Sequence, residues 1–210
     1  MYLSKPLQFI ILQFVVFISV LQKANAQTIA ISQARTTPLE QVVTISGIIT
    51  CGTELGRARY IQDATAGIGL YLSMEQLTAN PLSRGDSVTI TGTLTQFNNL
   101  LQLSPVASYT VHASNRPLPE PLIFEANEWG AAFAEIHEGK LIRLNGFTSI
   151  TNTAGDPVTT FSGGKNYRLN GIAQLEARVN AASTGVDGLV GKPAPTGLFD
   201  VVGLMSQFCN

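Results

Sequence analysis

An all-β protein with a minor helix, built as two tandem Greek-key barrels, is what this sequence predicts, on three observations. Apolar residues alternate over short runs such as Val43, Ile45 and Ile49, or Val88, Ile90 and Leu94, the period of a half-buried strand. The 19 glycines, 10 prolines and many threonines describe turns and strands rather than long helices. One pattern also occurs twice. Val42-Val43-Thr44-Ile45-Ser46-Gly47-Ile48-Ile49 has the layout of Leu141-Ile142-Arg143-Leu144-Asn145-Gly146-Phe147-Thr148, and Gly92–Asn98 lines up with Gly203–Cys209. The offsets are 99 and 111 residues, so the second copy has the longer interior. A period of this length denotes two domains in tandem, not a solenoid.

The first copy, residues 27–113, reads in order as strand, strand, strand, helix, strand, strand. Val42–Thr50 is a long strand whose central Gly47 suits a sharp bend or bulge. Ala58–Asp63 and Ile68–Leu72 flank Ala64-Thr65-Ala66-Gly67, a tight hairpin in which Asp63 and Thr65 can bond nearby backbone N–H groups. Ser73-Met74-Glu75-Gln76 has the form of a capping box, opening a helix that ends near Asn80-Pro81. Ser87–Thr95 alternates again, Asn98-Asn99 forms a turn, and Leu100–Leu103 closes the set. A barrel with a bent first strand and its helix between the third and fourth strands has the OB-fold order.

The residues Tyr60-Ile61-Gln62-Asp63-Ala64-Thr65-Ala66-Gly67-Ile68, followed by Gly85-Asp86-Ser87-Val88-Thr89-Ile90-Thr91-Gly92, resemble the OB-fold modules of secreted bacterial multidomain proteins, including those attached to extracellular nucleases. The resemblance covers roughly residues 29–112, within the usual tolerance of sequence boundaries. It implies an accessory module that binds nucleic acid or joins domains, without the catalytic part. The second copy, 139–210, rests on the internal repeat. There Gln207-Phe208 is followed only by Cys209-Asn210, so the fifth strand is expected to be missing and the chain to be a piece of a longer one carrying further domains. Residues 114–138 are expected to be a connector, extended through Pro117, Pro119 and Pro121. A short helix over Glu125–Ile136 would then place Trp129 and Phe133 on one face.

Composition bounds the function. With 45% hydrophobic and 13% charged residues the chain folds, and a net charge of −1 gives no overall pull toward nucleic acid or anionic membrane. Residues 1–26 read as a secretory signal: Lys5, an apolar stretch over Phe9–Leu21, then Ala24-Asn25-Ala26 before a cleavage at Gln27. Export removes Lys5 and Lys23 from the 13 basic residues, leaving 11 against 14 acids, and no membrane association is expected afterwards. Cys51 and Cys209 are too few for a disulfide scaffold, and either a bridge or free thiols fits an exported chain.

His112 and His137 stand apart from other ligand types, the acids form no close pair, and no nucleophile elbow is present. The expectation is a protein without catalytic residues, metal or cofactor. Binding is the better-supported class, because an OB-fold offers its second and third strands and adjoining loops to oligonucleotides or oligosaccharides. With Thr65-Ala66 at the turn, Tyr60 falls opposite Tyr71, giving an aromatic pair on the outer face with Gln62 beside it. Arg57 borders the pair, Phe97, Asn98 and Asn99 supply the opposing loop, and Arg59 joins the basic set although it shares parity with the inward Ile61. The expected ligand is single-stranded nucleic acid. The alternatives are a neutral oligosaccharide on the same tyrosines, or a spacer or protein-interaction module in which the neighbouring domain covers them. The second copy is the locally basic one, with Lys140, Arg143, Lys165, Arg168 and Arg178, which also suits solvated strand edges.

Overall fold

The computed structural model describes residues 27–79, 81–185 and 188–207; the expected signal segment and Cys209 lie outside them. The chain is all-β with minor helix, and its apolar residues gather into two separate cores, one per copy. In the first lobe, β1 (Thr28–Ile29) and a one-turn helix α1 (Ile31–Ala34) precede β2 (Val42–Ile49). There follow β3 (Ala58–Gln62), β4 (Gly67–Tyr71), α2 (Met74–Ala79), β5 (Ser87–Phe97) and β6 (Leu100–Ala113). The strands close in the order β2-β3-β4-β6-β5, with β5 returning to β2. The closing contact is parallel, Gly69 beside Gln102 and Leu70 beside Leu103. The five strands close into a small β-barrel, with α2 between the third and fourth, the element order expected from the sequence.

Local chemistry explains each element. Gly47 lets β2 bend: a Cβ there would lie 2.5 Å from the Gln62 carbonyl oxygen, so only glycine permits β2 to leave β5 and pair with β3. Gln76 N–H donates to Ser73 Oγ (3.1 Å), while Ser73 N–H donates to Gln76 Oε1 (2.9 Å), the reciprocal bonds of a capping box. Asn98 and Asn99 have φ of 49° and 67°, the left-handed pair that a two-residue hairpin turn requires.

The hairpin between β3 and β4 is shifted from the sequence expectation. Gln62 pairs with Gly67, so Ala64-Thr65 form the turn and Tyr60 faces Gly69 rather than Tyr71. Asp63 sets this register. Its Oδ1 accepts the N–H groups of Thr65 (2.7 Å) and Ala66 (2.9 Å), and its Oδ2 accepts the N–H of Ile31 (2.9 Å), which ties α1 to the turn. Burial alone would raise the Asp63 pKa. These bonds overcome it and hold the carboxyl below its ordinary value.

Asp63→Ala should therefore cost about 1–2 kcal/mol in urea unfolding at neutral pH, and Asp63→Asn less. Because the folded pKa is the lower one, the gap between wild type and Asp63→Ala should be full above about pH 4–5. It should shrink as pH falls through the folded pKa.

The second lobe comprises β7 (Leu122–Phe124), β8 (Leu141–Phe147), β9 (Ile150–Asn152), β10 (Lys165–Leu169), β11 (Glu176–Val179) and β12 (Phe199–Leu204). Two three-stranded sheets result, β11-β10-β9 and β12-β8-β7, with β8 running into β9 through Thr148-Ser149. The repeat is carried into register. Val43 pairs with Gly92 in the first lobe, and their counterparts Ile142 and Gly203 pair in the second. Among the described residues, no strand bridges β11 and β12 as β6 bridges β4 and β5. A Cβ on Gly92 would meet the Pro105 oxygen at 3.0 Å, whereas one on Gly203 would meet nothing within 4 Å.

The 114–138 segment differs from the expected connector. Leu122–Phe124 pairs in parallel with β8, as β1 pairs with β2, and Phe124 enters the second core. Instead of one α-helix there are two 3₁₀ turns, Trp129–Phe133 and Glu135–His137. At three residues per turn, positions four apart do not share a face. Trp129 accordingly stacks on Phe147, with centroids 4.4 Å apart, while Phe133 remains exposed.

Candidate functional site

The outer face of β3 and β4 is where the sequence places a ligand, and in the structure the second lobe lies across it. Ala58, Tyr60 and Gln62 share this face with Gly67, Gly69 and Tyr71. The two small residues Gly67 and Gly139 bring the lobes into backbone contact: a Cβ on Gly67 would sit 2.2 Å from the Gly139 oxygen. Around that point, the Tyr60 hydroxyl hydrogen-bonds Ser206 Oγ at 2.9 Å, and Leu141 N–H donates to Gln62 Oε1 at 2.9 Å.

Arg35, at the end of α1, donates to Glu138 Oε1 (3.0 Å) and to the Gly67 carbonyl (3.2 Å), and it also pairs with Glu135. Glu138 is almost fully buried, and Leu101 N–H from β6 donates to the same Oε1. Burial pushes the Glu138 pKa up, and the bonded Arg35 opposes that rise.

This arrangement divides the expected site residues. Tyr60 is 5% exposed, and burial pushes its phenol up to about 12; Gln62 is buried with it. Both are corrected from ligand-facing to lobe-facing positions. Arg59 is also corrected, because its parity with Ile61 sends it inward to 0% exposure. There it donates from Nε to the Leu82 carbonyl and from Nη1 to the carbonyls of Gly56 and Ala58, while its buried Nη2 has no partner among the described residues. Burial lowers its pKa.

The remaining residues stay at the surface, at two ends of the covered face. At one end Tyr71 is 40% exposed, with the Arg57 guanidinium 4.3 Å above one side of its ring. Arg57 is fixed there by donating from Nε to the Leu72 carbonyl. At the other end, Phe97 is 56% exposed on the turn formed by Asn98 and Asn99. The structure therefore keeps Arg57 with Tyr71 and Phe97 with its asparagines, without joining the two sets.

Sequence reasoning missed Gly67, Gly139, Arg35 and Glu138, the residues that hold the lobes together. Two glycines on the tyrosine face were the available signal, since a strand face bare of side chains invites close backbone approach. Among the described residues, no three His, Cys, Asp or Glu side chains gather to hold a metal, and no helix is long and apolar enough to cross a membrane. Cys51 is free and buried, its thiol pushed to about 12 chiefly by desolvation.

No family model matches the chain. A solved structure titled hypothetical protein ygiW, from E. coli, aligns with 41% of this chain and 88% of its own at a TM-score of 0.35 and 17% identity. Over 130 residues the chain is 35% identical to Endonuclease YhcR of Bacillus subtilis (strain 168). The matched region is 59% of this chain and 10% of that protein, so the chain spans about a tenth of the length of this relative.

Proposed function

We propose that this chain is a non-catalytic accessory module of an exported nuclease-like protein and that it engages single-stranded nucleic acid. The observation that carries the reading is the 35% identity to a region making up only 10% of an endonuclease, a share suited to an appended module. The OB-ordered barrel supports it, because that architecture recurs in oligonucleotide binding. Tyr71 offers its free ring side for base stacking, and Arg57 brings a positive charge to the same point. Phe97 with Asn98 and Asn99 forms a second contact beyond the covered face. A spacer role is the second reading, favoured by the use of the β3–β4 face to hold the other lobe.

Titrating residues 27–210 with a fluorescent oligothymidylate at about 50 and 200 mM salt separates these readings. The nucleic-acid reading expects saturable binding that weakens with salt. Tyr71→Ala should reduce affinity by roughly 5- to 150-fold, the value of ~1–3 kcal/mol for one stacked base. Absence of binding at low salt would establish the spacer, and salt-insensitive binding of a neutral glucan would establish the carbohydrate alternative.

A further inference from the structure

The second lobe repeats the pairing of the first except at one place. The residues leading into β8 bond the end of β12 just as those leading into β2 bond β5. Met205 N–H donates to the Lys140 carbonyl (3.0 Å) and Gly139 N–H to the Met205 carbonyl (2.8 Å). In the first lobe Leu94 N–H donates to the Gln41 carbonyl (2.9 Å) and Glu40 N–H to the Leu94 carbonyl (2.8 Å). On its other side β5 is covered by β6, which also pairs with β4. Among the described residues β12 has no such neighbour, and neither has β11 on the side away from β10.

The core is open at the same place. Val88 and Ile90 of β5 are 0% exposed, whereas their counterparts 111 residues later, Phe199 and Val201, are only half-buried. Ala177 on β11 is likewise only partly buried against the second core. A Cβ on Gly92 would meet the β6 atoms Pro105 O (3.0 Å) and Leu103 Cβ (3.1 Å), and one on Gly203 would meet nothing. The backbone is open as well. Met205 turns its N–H and C=O toward the start of β8, so by the alternation of an antiparallel pair Val202 and Leu204 turn theirs away, toward the side that β6 covers in the first lobe.

One strand running parallel to β11 and antiparallel to β12 would satisfy both edges, as β6 does for β4 and β5. A strand bonded on both sides cannot already belong to a sheet, which excludes an edge strand of a second folded copy. Residues 117–121 of this chain are unsuited too: Pro117, Pro119 and Pro121 lack an N–H at every second position, and they lead into β7. The fitting occupant is an extended, sheet-free segment of another polypeptide, apolar at its inward positions as β6 is at the buried Leu103 and Val106.

We propose that the opening between β11 and β12 is a strand-acceptor site, which binds an extended segment of a partner polypeptide and thereby completes the second barrel. The site is separate from Tyr71 and Phe97 and does not depend on nucleic-acid binding.

The test titrates wild-type residues 27–210 with a fluorescent peptide copying the 14 residues of β6, Leu100–Ala113, and follows amide exchange with and without it. Saturable binding is expected. The amides of Val202 and Leu204 should slow at least about 10-fold, with less change at Gly203, whose amide faces β8. A scrambled peptide of the same composition should do neither. Val202→Pro removes an N–H that faces the opening, so it should fold, by circular dichroism and thermal melting, yet bind the peptide at least about 10-fold more weakly. Val202→Ala keeps the N–H and should stay within about 3-fold of wild type. If Val202→Pro unfolds, the exchange result on the wild type decides. Unchanged exchange at Val202 and Leu204 with the peptide at about 1 mM would overturn the proposal, as would undiminished peptide binding by folded Val202→Pro. Exchange at Val202 and Leu204 already as slow without peptide as at Thr91 and Thr93 would also overturn it. Protection that then rose with protein concentration would identify a second copy as the occupant.

Discussion

A side chain at Gly67 will force the two lobes apart. In Gly67→Val the new Cβ would fall 2.2 Å from the oxygen and 2.3 Å from the carbon of Gly139, and 2.7 Å from the Lys140 nitrogen. All three are backbone atoms, so no rotamer change relieves the clash, and overpacking of this kind costs ~1–3 kcal/mol. The barrel is held by its own core, whereas the lobe contact rests on a few polar bonds and this close approach, so separation is the easier relief. We expect the Leu141 amide, which donates to Gln62, to exchange faster in the variant. Proteolysis should become faster within 114–138. Gly203→Ala is the control, because a Cβ there meets nothing within 4 Å, and its effect should stay within about 0.5 kcal/mol.

The second large effect concerns the two tyrosines, which share a face but not a role. Tyr60→Ala removes a buried aromatic ring from between the lobes and should cost ~3–5 kcal/mol in unfolding experiments. Tyr60→Phe removes only the hydroxyl bond to Ser206 and should cost ~1 kcal/mol. Tyr71→Ala, at a surface position, should change stability by no more than ~0.5–1 kcal/mol. A loss of oligonucleotide affinity in Tyr60→Ala would thus reflect lobe separation, whereas one in Tyr71→Ala would reflect a lost contact. Equal stability costs at the two positions would contradict the placement of Tyr60.

The first barrel was legible in the sequence because its signals are local. The alternation in β2 and β5, the Ser73–Gln76 box and the Asn98-Asn99 turn each depend on residues close in the chain, and each is found. The repeat was also legible, and it extends to the pairing of Ile142 with Gly203. The β3–β4 register slipped because the turn is set by which N–H groups the Asp63 carboxylate accepts, and several turns fit the same letters.

Leu122–Phe124 was hidden for a different reason: three apolar residues after a run of prolines become a strand only through the edge of β8, 20 residues later. Arg59 announced its conflict through parity, and the carbonyls of Gly56, Ala58 and Leu82 take its Nε and Nη1 groups. The contact between the lobes was least legible, because it joins Arg35 to Glu138 and depends at Gly67 on the absence of a side chain.

The central claim is that the second lobe occupies the face of the first barrel that an OB-fold commonly presents to a ligand. Nuclear Overhauser contacts in isotopically labelled residues 27–210 test it most directly. Cross-peaks between the Tyr60 ring and Ser206, and between Gly67 and Gly139, are the predicted result. Their absence, with the Tyr60 ring accessible to solvent and to added oligonucleotide, would contradict it and return the ligand to the tyrosine face.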